Sequence, residues 1–238
     1  MSPWRPADSV PVTLDGFEMY LVDGEATLVA CHIDTTDSGQ LVRGALEAAR
    51  RCDASSLQIT VSPDYLGTGP AIEELRMRGA DVVGTDDVLA ADLLLAAAPG
   101  IRDRSGIDVV EVSSYERVAE FERTSARGWG YPDPSAGAIE DAYRRLSPGW
   151  FLGYSDGQPA GAAGFALVGV VARLWGGAVI PAMRGRGVYR DLVAYRLATA
   201  TARGATLALV HAAPSSSPIL QRLAFRKFGE RHTFRLTL

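Results

Sequence analysis

The fold is decided by residues 178–190, which read AVIPAMRGRGVYR. An apolar strand pattern ends at Pro181, a basic loop rich in glycine follows, and a helical pattern starts at Tyr189. The backbone N–H groups of the first helical turn lack partners within their helix and lie at the positive end of its dipole. The stretch therefore predicts an anion site, which in such loops usually holds phosphate.

The side chains of this loop suit the same purpose. Gly185 and Gly187 allow the backbone to approach a ligand closely. Arg184, Arg186 and Arg190 are expected to add charge-assisted hydrogen bonds.

Patterns on both sides of the loop predict alternating strands and helices. Ser114 precedes a helical pattern, Asp156-Gly157 joins two apolar runs as a tight hairpin, and Gly204 ends the helix after the loop. Strands are predicted at 109–112, 150–154, from 160 onward, within 168–180, and at 207–210 and 233–238; further helices are predicted at 138–146, 189–203 and 218–223.

The first half of the chain repeats part of this order. A helix follows Gly39 and a strand ends at Val61, as a helix follows Gly187 and a strand ends at Val210; the separations are 22 and 23 residues. Each half also has an Asp-Gly hairpin signal upstream. With the loop at residues 99–106 as the boundary, we predict two domains, 1–105 and 106–238.

Composition narrows the class of protein. The chain has 238 residues, of which 47% are hydrophobic and 22% charged, as in soluble globular proteins. No signal peptide and no apolar run of about 20 residues is found, so a cytoplasmic protein without membrane contact is expected.

The net charge is −9 for residues 1–105 and +5 for 106–238. This distribution favours an anion as ligand of the second half and does not suggest binding of nucleic acid. The histidines at 32, 211 and 232 are scattered, so no metal site is predicted.

The order of strand, Pro, Arg-Gly-Arg-Gly, helix, strand, short helix and strand resembles the GCN5-related N-acetyltransferase (GNAT) family over residues 109–238. Arg184 and Gly187 fit that family's Arg/Gln-x-x-Gly-x-Gly/Ala loop, whereas Tyr189 stands where the family has Gly or Ala. A dinucleotide-binding fold would need a further glycine at Arg190.

The resemblance implies an α/β (α+β) fold of two GNAT-like mixed, mostly antiparallel sheets flanked by helices, with a truncated N-terminal unit. The corresponding loop of that unit, residues 34–39, has two Asp and no Arg, so no cofactor site is expected there.

The resemblance also implies that acetyl-CoA is the co-substrate. The backbone of Ala178, Val179 and Ile180 would hydrogen-bond the pantetheine arm. The pyrophosphate would lie on the loop and the first helical turn, formed by Arg184, Gly185, Arg186, Gly187, Val188, Tyr189 and Arg190.

The family's usual acid and base are missing from this sequence. Leu220 stands where a Tyr often protonates the leaving thiolate, and residues 173–180 contain no carboxylate. His211, at the end of a predicted strand, is the candidate for either proton step, because its ordinary pKa lies near neutrality; a structural role is the alternative. Tyr131 and Asp133 lie in the loop that borders the acceptor site in this family.

Two functions follow from these residues. The first is direct transfer of an acetyl group from acetyl-CoA to an amine of a small molecule or peptide, by a monomer or homodimer. The second is a non-catalytic acyl-CoA-binding sensor or scaffold. The sequence leaves the acceptor and the acyl chain length open.

Overall fold

The computed structural model describes residues 9–33, 37–62, 68–94 and 106–238. They form a mixed α/β fold whose strands pair mostly antiparallel and are flanked by helices. The elements are β1 (Val10–Leu14), β2 (Phe17–Val22), β3 (Glu25–Cys31), α1 (Ser38–Arg51), β4 (Ser56–Val61), α2 (Thr68–Met77), β5 (Asp81–Asp92), β6 (Ile107–Glu111), α3 (Tyr115–Trp129), α4 (Ala136–Arg144), β7 (Trp150–Ser155), β8 (Gln158–Val168), β9 (Val171–Val179), α5 (Val188–Ala202), β10 (Leu207–Ala212), α6 (Ser217–Arg222) and β11 (Arg226–Thr237).

Two compact units divide these elements. Unit 1 is formed by Met1–Asp87 and Gly229–Leu238, and unit 2 by Val88–Phe228. The predicted boundary at residues 105/106 adjoins positions 95–105, which lie outside the described residues, so the division 1–105 and 106–238 stays a prediction. The compact units differ from it because the last ten residues join unit 1.

Unit 1 starts with two tight hairpins. Asp15 and Gly16 turn the first and Asp23 and Gly24 the second, and all four have positive φ, as the short turns that match strand twist require. The strand order of the unit is β1-β2-β3-β4-β11-β5, and β3 and β4 run parallel. Its core is apolar and includes Phe17, Met19, Val42, Leu46, Leu57, Leu75 and Phe234.

Unit 2 carries the predicted loop. Its strand order is β5-β10-β9-β8-β7-β6, in which β9 and β10 are parallel whereas β6 to β9 are antiparallel neighbours. The predicted hairpin at Asp156 and Gly157 is present, and both residues have positive φ. Helix α5 buries Val188, Leu192, Val193, Leu197 and Ala200, which form its apolar face.

The predicted helices and strands of residues 109–238 are all present, with shifted ends. The last strand is the main correction: β11 begins at Arg226, whereas the sequence placed it at 233–238. Its first residues are largely exposed, so they carry no apolar pattern from which a strand could be predicted. Ser114 caps α3 as its position before the predicted helix suggested, since its hydroxyl accepts a hydrogen bond from the Arg117 N–H.

Candidate functional site

The segment between β9 and α5 has the shape expected of an anion loop. One turn of 3-10 helix (Pro181–Met183) follows the strand, and α5 then begins at Val188. Gly185 and Gly187 have φ of 78° and 90°, values that side chains other than glycine adopt only at a cost. The two glycines thus allow the chain to turn sharply into the helix.

Several successive backbone N–H groups of this loop lack a backbone acceptor among the described residues. Among the described residues, the N–H groups of residues 185–190 have no backbone acceptor; Asp191 is the first to bond, to the Gly187 carbonyl at 3.1 Å. Gly187 offers no side-chain cap. Six successive N–H groups at the positive end of a helix form a cradle suited to a phosphate or pyrophosphate.

The start of helix α1 in unit 1 is capped by a carboxylate. The carboxylate of Asp37 accepts hydrogen bonds from the N–H groups of Gly39 (2.8 Å) and Gln40 (3.2 Å). An anion would meet a negative charge there, as the sequence predicted. Residues 34–36 of that predicted loop lie outside the described residues.

The three loop arginines differ in their contacts. Arg184 donates to the carbonyls of Gly128 (Nη2, 2.9 Å) and Val179 (Nε, 3.2 Å), so it joins the end of α3 to the end of β9. Arg190 donates to Asp191 at 3.2 Å. Arg186 is exposed, and no contact of its side chain is found within the described residues. Of the three, Arg186 is therefore best placed to meet an incoming anion.

Strand β9 has an open edge next to this loop. Its parallel pairing with β10 ends at Leu174 and Val210, yet β9 continues to Val179 and remains paired there with β8. The Ile180 N–H already donates to Ala160 (2.9 Å). Since alternate residues of a strand point their N–H groups to opposite edges, Ala178 also faces β8, and Val179 faces the open edge. Of the three predicted pantetheine partners, Val179 thus has the available N–H.

The side chain of Tyr189 is directed towards β9. A Cβ atom on Gly177 would lie 2.9 Å from Cε2 of Tyr189, so the ring rests directly on the glycine backbone. Val188, by contrast, is buried in the core of the unit. The large residue at the position where the GNAT motif has Gly or Ala is accommodated because residue 177 has no side chain.

The predicted catalytic residue lies at the same end of the unit. His211 follows Val210, the last β10 residue paired with β9, and it is half-buried. Its Nε2 atom is buried with no hydrogen bond in the described part of the chain, while the residue has another contact. Leu220 is fully buried, and Ser216 donates to the Ala213 carbonyl (3.1 Å).

The two predicted acceptor-side residues lie after α3. Asp133 forms two hydrogen bonds with Arg127, at 3.1 and 3.2 Å, and this contact holds the pKa of the Asp133 carboxyl below its ordinary value. The Tyr131 N–H donates to the Ala126 carbonyl (2.8 Å), and its ring is exposed together with Trp129. Whether this loop meets an acceptor stays a prediction.

A polar cluster between α3 and β7 was not predicted. The Tyr154 hydroxyl donates to Glu120 (2.7 Å) and accepts from Arg117. Burial, and then the Glu120 contact, raise the pKa of Tyr154 to about 12, so the phenol stays protonated at neutral pH. The sequence shows that Arg117 and Glu120 lie on one face of a helix. Their common partner, Tyr154, is 34 or more residues away, so the sequence does not indicate the contact.

Unit 1 contains a small apolar cleft of about 60 Å³ that is open to solvent, lined by residues such as Phe17, Leu28, Cys31 and Ile59. The lining has hydroxyl and thiol groups but no carboxylate or imidazole. Among the described residues, the cleft therefore lacks the carboxylate or imidazole that most often acts as acid or base.

Two further properties concern the described residues as a whole. They contain no group of three His, Cys, Asp or Glu side chains that could hold a metal ion. Their helices are too short or too polar for any of them to cross a membrane.

Comparison with known proteins agrees with this geometry. Residues 115–229, just under half of the chain, match the model of the acetyltransferase (GNAT) family. This segment is therefore similar to the GNAT family. It contains the loop, the open edge of β9 and His211. A comparison of the sequence with curated proteins finds no match.

Solved GNAT structures share the fold. A GCN5-related N-acetyltransferase from Sphaerobacter thermophilus is 15% identical with a TM-score of 0.70, covering 93% of this chain and 76% of that one. Another from Kribbella flavida is 19% identical with a TM-score of 0.61, covering 95% and 89%. A tandem GNAT protein from the clavulanic acid biosynthesis pathway is 18% identical with a TM-score of 0.65, covering 93% and 78%.

Proposed function

We propose that the chain transfers an acetyl group from acetyl-CoA to an amine. The observation that carries this proposal is the set of free N–H groups of residues 185–190, beside the open edge of β9 and within the segment that matches the GNAT family model. Bound acetyl-CoA supplies a thioester that an amine can attack directly, so that a C–N bond forms as the C–S bond breaks.

The residues present fit acetyl-CoA in two ways. The six N–H groups and Arg186 offer positive charge for the pyrophosphate. The Val179 N–H at the open edge offers an amide partner for the pantetheine arm. A thioester held in this way would have its reactive carbon fixed, and positioning alone contributes several kcal/mol to such a transfer.

His211 is proposed as the group that removes the proton from the attacking amine. It lies immediately beyond the last pair of β10 and β9, where the open edge begins. A neutral imidazole is a suitable base near neutral pH. Tyr131 and Asp133 are proposed to border the amine, and the Arg127–Asp133 contact would shape that side of the site.

The second candidate is an acyl-CoA-binding protein without catalysis. Leu220, which is buried where the family often has a tyrosine acid, favours it. Both functions require that the loop of residues 184–190 binds the cofactor. They differ because only the transferase releases CoA when an amine is present.

An assay of thiol release separates them. Native protein is mixed with acetyl-CoA and a panel of amines, and free CoA thiol is measured. Amine-dependent release, reduced at least about tenfold by His211→Ala but not by His32→Ala, is expected for the transferase. His32 is an exposed histidine of unit 1 paired with Glu18. CoA binding without release by any amine would favour the binding protein instead.

A further inference from the structure

One arginine of unit 2 is buried without an acidic partner. Arg196 of α5 is 2% exposed, and among the described residues it forms no ion pair. Its guanidinium donates to three carbonyls: Leu192 (Nε, 3.1 Å), Gly164 (Nη1, 3.1 Å) and Trp175 (Nη1, 3.4 Å). The nearby side chain of Tyr189 favours the charged form of the guanidinium and so opposes the lowering of its pKa by burial.

Such a side chain is a poor choice for stability alone. Removing a guanidinium from water is costly unless it is well paired, and burial lowers the pKa of Arg196 for this reason. Apolar residues of similar volume often give cores that are equally stable. An arginine whose partners within the described part of the chain are all neutral oxygens therefore points to a geometric requirement at the groups it holds.

Those groups lie where β9 leaves β10. Trp175 directly follows Leu174, the last β9 residue paired with β10. The β8–β9 register shifts between Ala162 and Gly164, and Gly176 has a φ of 63°. Arg196 thus binds both strands at the irregularity from which the open edge starts.

The same guanidinium is linked to the start of α5. Tyr189 lies seven residues earlier, on the same side of the helix, and its ring rests on Gly177. A Cβ on Gly177 would also lie 3.6 Å from Nη2 of Arg196. Arginine, tyrosine and glycine backbone therefore form one packed group that connects the open edge to the turn carrying the free N–H groups.

We propose that Arg196 is a positioning residue of the acyl-CoA site, which fixes the point where β9 separates from β10 and, through Tyr189, the first turn of α5 against Gly177. This inference rests on the proposed function, because it assigns a purpose to the open edge and the loop. A core-filling role would predict an effect on stability alone.

The test compares four variants. Arg196→Met fills the space without donating hydrogen bonds, Arg196→Lys keeps a shorter donor, and Tyr189→Phe removes only the hydroxyl. Leu197→Ala is the matched control, since Leu197 is buried beside Arg196 in the same helix and its truncation should lower the melting temperature by several degrees. Melting temperature, amide hydrogen exchange of residues 175–190 and calorimetric CoA binding are measured for each.

We expect Arg196→Met to exchange faster at residues 175–190 and to bind CoA on the order of tenfold more weakly. Arg196→Lys and Tyr189→Phe should lie between Arg196→Met and the native protein. Leu197→Ala should melt earlier but match the native protein in both exchange over this segment and CoA affinity. If Arg196→Met does not fold, the other two substitutions carry the test.

Native exchange and native CoA affinity in Arg196→Lys and Tyr189→Phe would overturn the inference and leave the proposed function standing. A loss of CoA affinity in Leu197→Ala equal to that in the Arg196 variants would also overturn it, since stability would then explain both. Failure of the native protein to bind CoA would instead overturn the proposed function, and with it the ligand part of this inference.

Discussion

At the scale of single residues, two glutamates of α3 have pKa values shifted in opposite directions. Burial raises the pKa of Glu122, and Arg145 opposes this only in part. Hydrogen bonds from its own backbone and from Ser114 lower the pKa of Glu116. A group whose pKa is raised in the folded state stabilises the protein below its unfolded pKa, and this stabilisation is lost as the pH rises through the folded pKa. A group whose pKa is lowered stabilises the protein above its unfolded pKa, and this stabilisation is lost as the pH falls through the folded pKa.

Glu122→Gln is therefore expected to stabilise the protein at pH 7, by roughly 0.5 kcal/mol, and to have little effect near pH 4. Glu116→Gln, the matched control on the same helix, should slightly destabilise it at pH 7. Denaturant unfolding at both pH values measures these differences. Destabilisation by Glu122→Gln at pH 7 would show that the ionised carboxylate has a stabilising partner.

Residue-level roles were predicted only in part. The glycines of the loop and the Ser114 cap follow from local geometry and were identified. Arg196 was not, because it lies within an apolar helical stretch where a charged residue is expected to face solvent. Its partners, Gly164 and Trp175, come from two other strands, and no spacing along the chain indicates them.

At the scale of elements, Arg184 joins three pieces of unit 2. Its contacts with the Gly128 and Val179 carbonyls connect the end of α3 with the end of β9, next to the loop. The two elements are also in close contact, because a Cβ on Gly128 would lie 2.7 Å from the Cβ of Ala178. The sequence predicted Arg184 as a phosphate ligand, and the structure gives it this structural contact as well.

Arg184→Ala is expected to lower the free energy of unfolding by about 1.5–3 kcal/mol, the usual loss for hydrogen bonds to a charged group. Arg186→Ala, the control in the same exposed loop, should leave stability unchanged and weaken CoA binding. Denaturant unfolding and CoA titration of both variants measure this. A native unfolding free energy for Arg184→Ala would contradict the structural role.

Elements were predicted well where a local signal exists. The hairpin at Asp156-Gly157, the helix after the loop and the stop at Gly204 were all correct. The hairpin at Asp15 and Gly16 carries the same Asp-Gly signal but was not predicted, and neither was the long exposed start of β11. The backbone donors at the end of β9 were expected from the resemblance alone, because the open edge that frees them depends on pairing between distant segments.

At the scale of the whole molecule, each half of the chain contributes a segment to the unit formed mainly by the other half. Residues 229–238 complete unit 1, where β11 pairs with β4 from His232 and Val61 to Thr237 and Ser56. Leu89, Ala91 and Leu93, from the first half, belong to the core of unit 2. Each unit thus depends on a strand segment from the other half of the chain.

A fragment of residues 106–238 is therefore expected not to fold cooperatively, since it lacks the β5 part of its core and leaves β11 unpaired. In the intact chain, Phe234→Ala should cost about 3–5 kcal/mol, because the ring is fully buried in unit 1. Circular dichroism and thermal unfolding measure both. A fragment that melts cooperatively would show that 106–238 is an independent domain, as the sequence suggested.

The tandem arrangement stays a hypothesis. Both halves have the order strand, helix, strand, short helix, strand, and the pairs β3–β4 and β9–β10 are each parallel. The helix of the second half begins with free N–H groups, whereas Asp37 caps that of the first. We propose on these grounds that the first half is a copy without a cofactor loop.

The central claim, that the loop of residues 184–190 binds acetyl-CoA, is tested most directly by calorimetric titration of three proteins with acetyl-CoA and CoA. These are the native chain, Gly187→Glu and Gly204→Glu. Gly187 and Gly204 share a φ of 90°, and both substitutions introduce the same backbone strain and charge, but only the first lies in the loop. We predict micromolar binding by the native chain and by Gly204→Glu, and none by Gly187→Glu. Absence of binding by the native chain, or native affinity in Gly187→Glu, would contradict the claim.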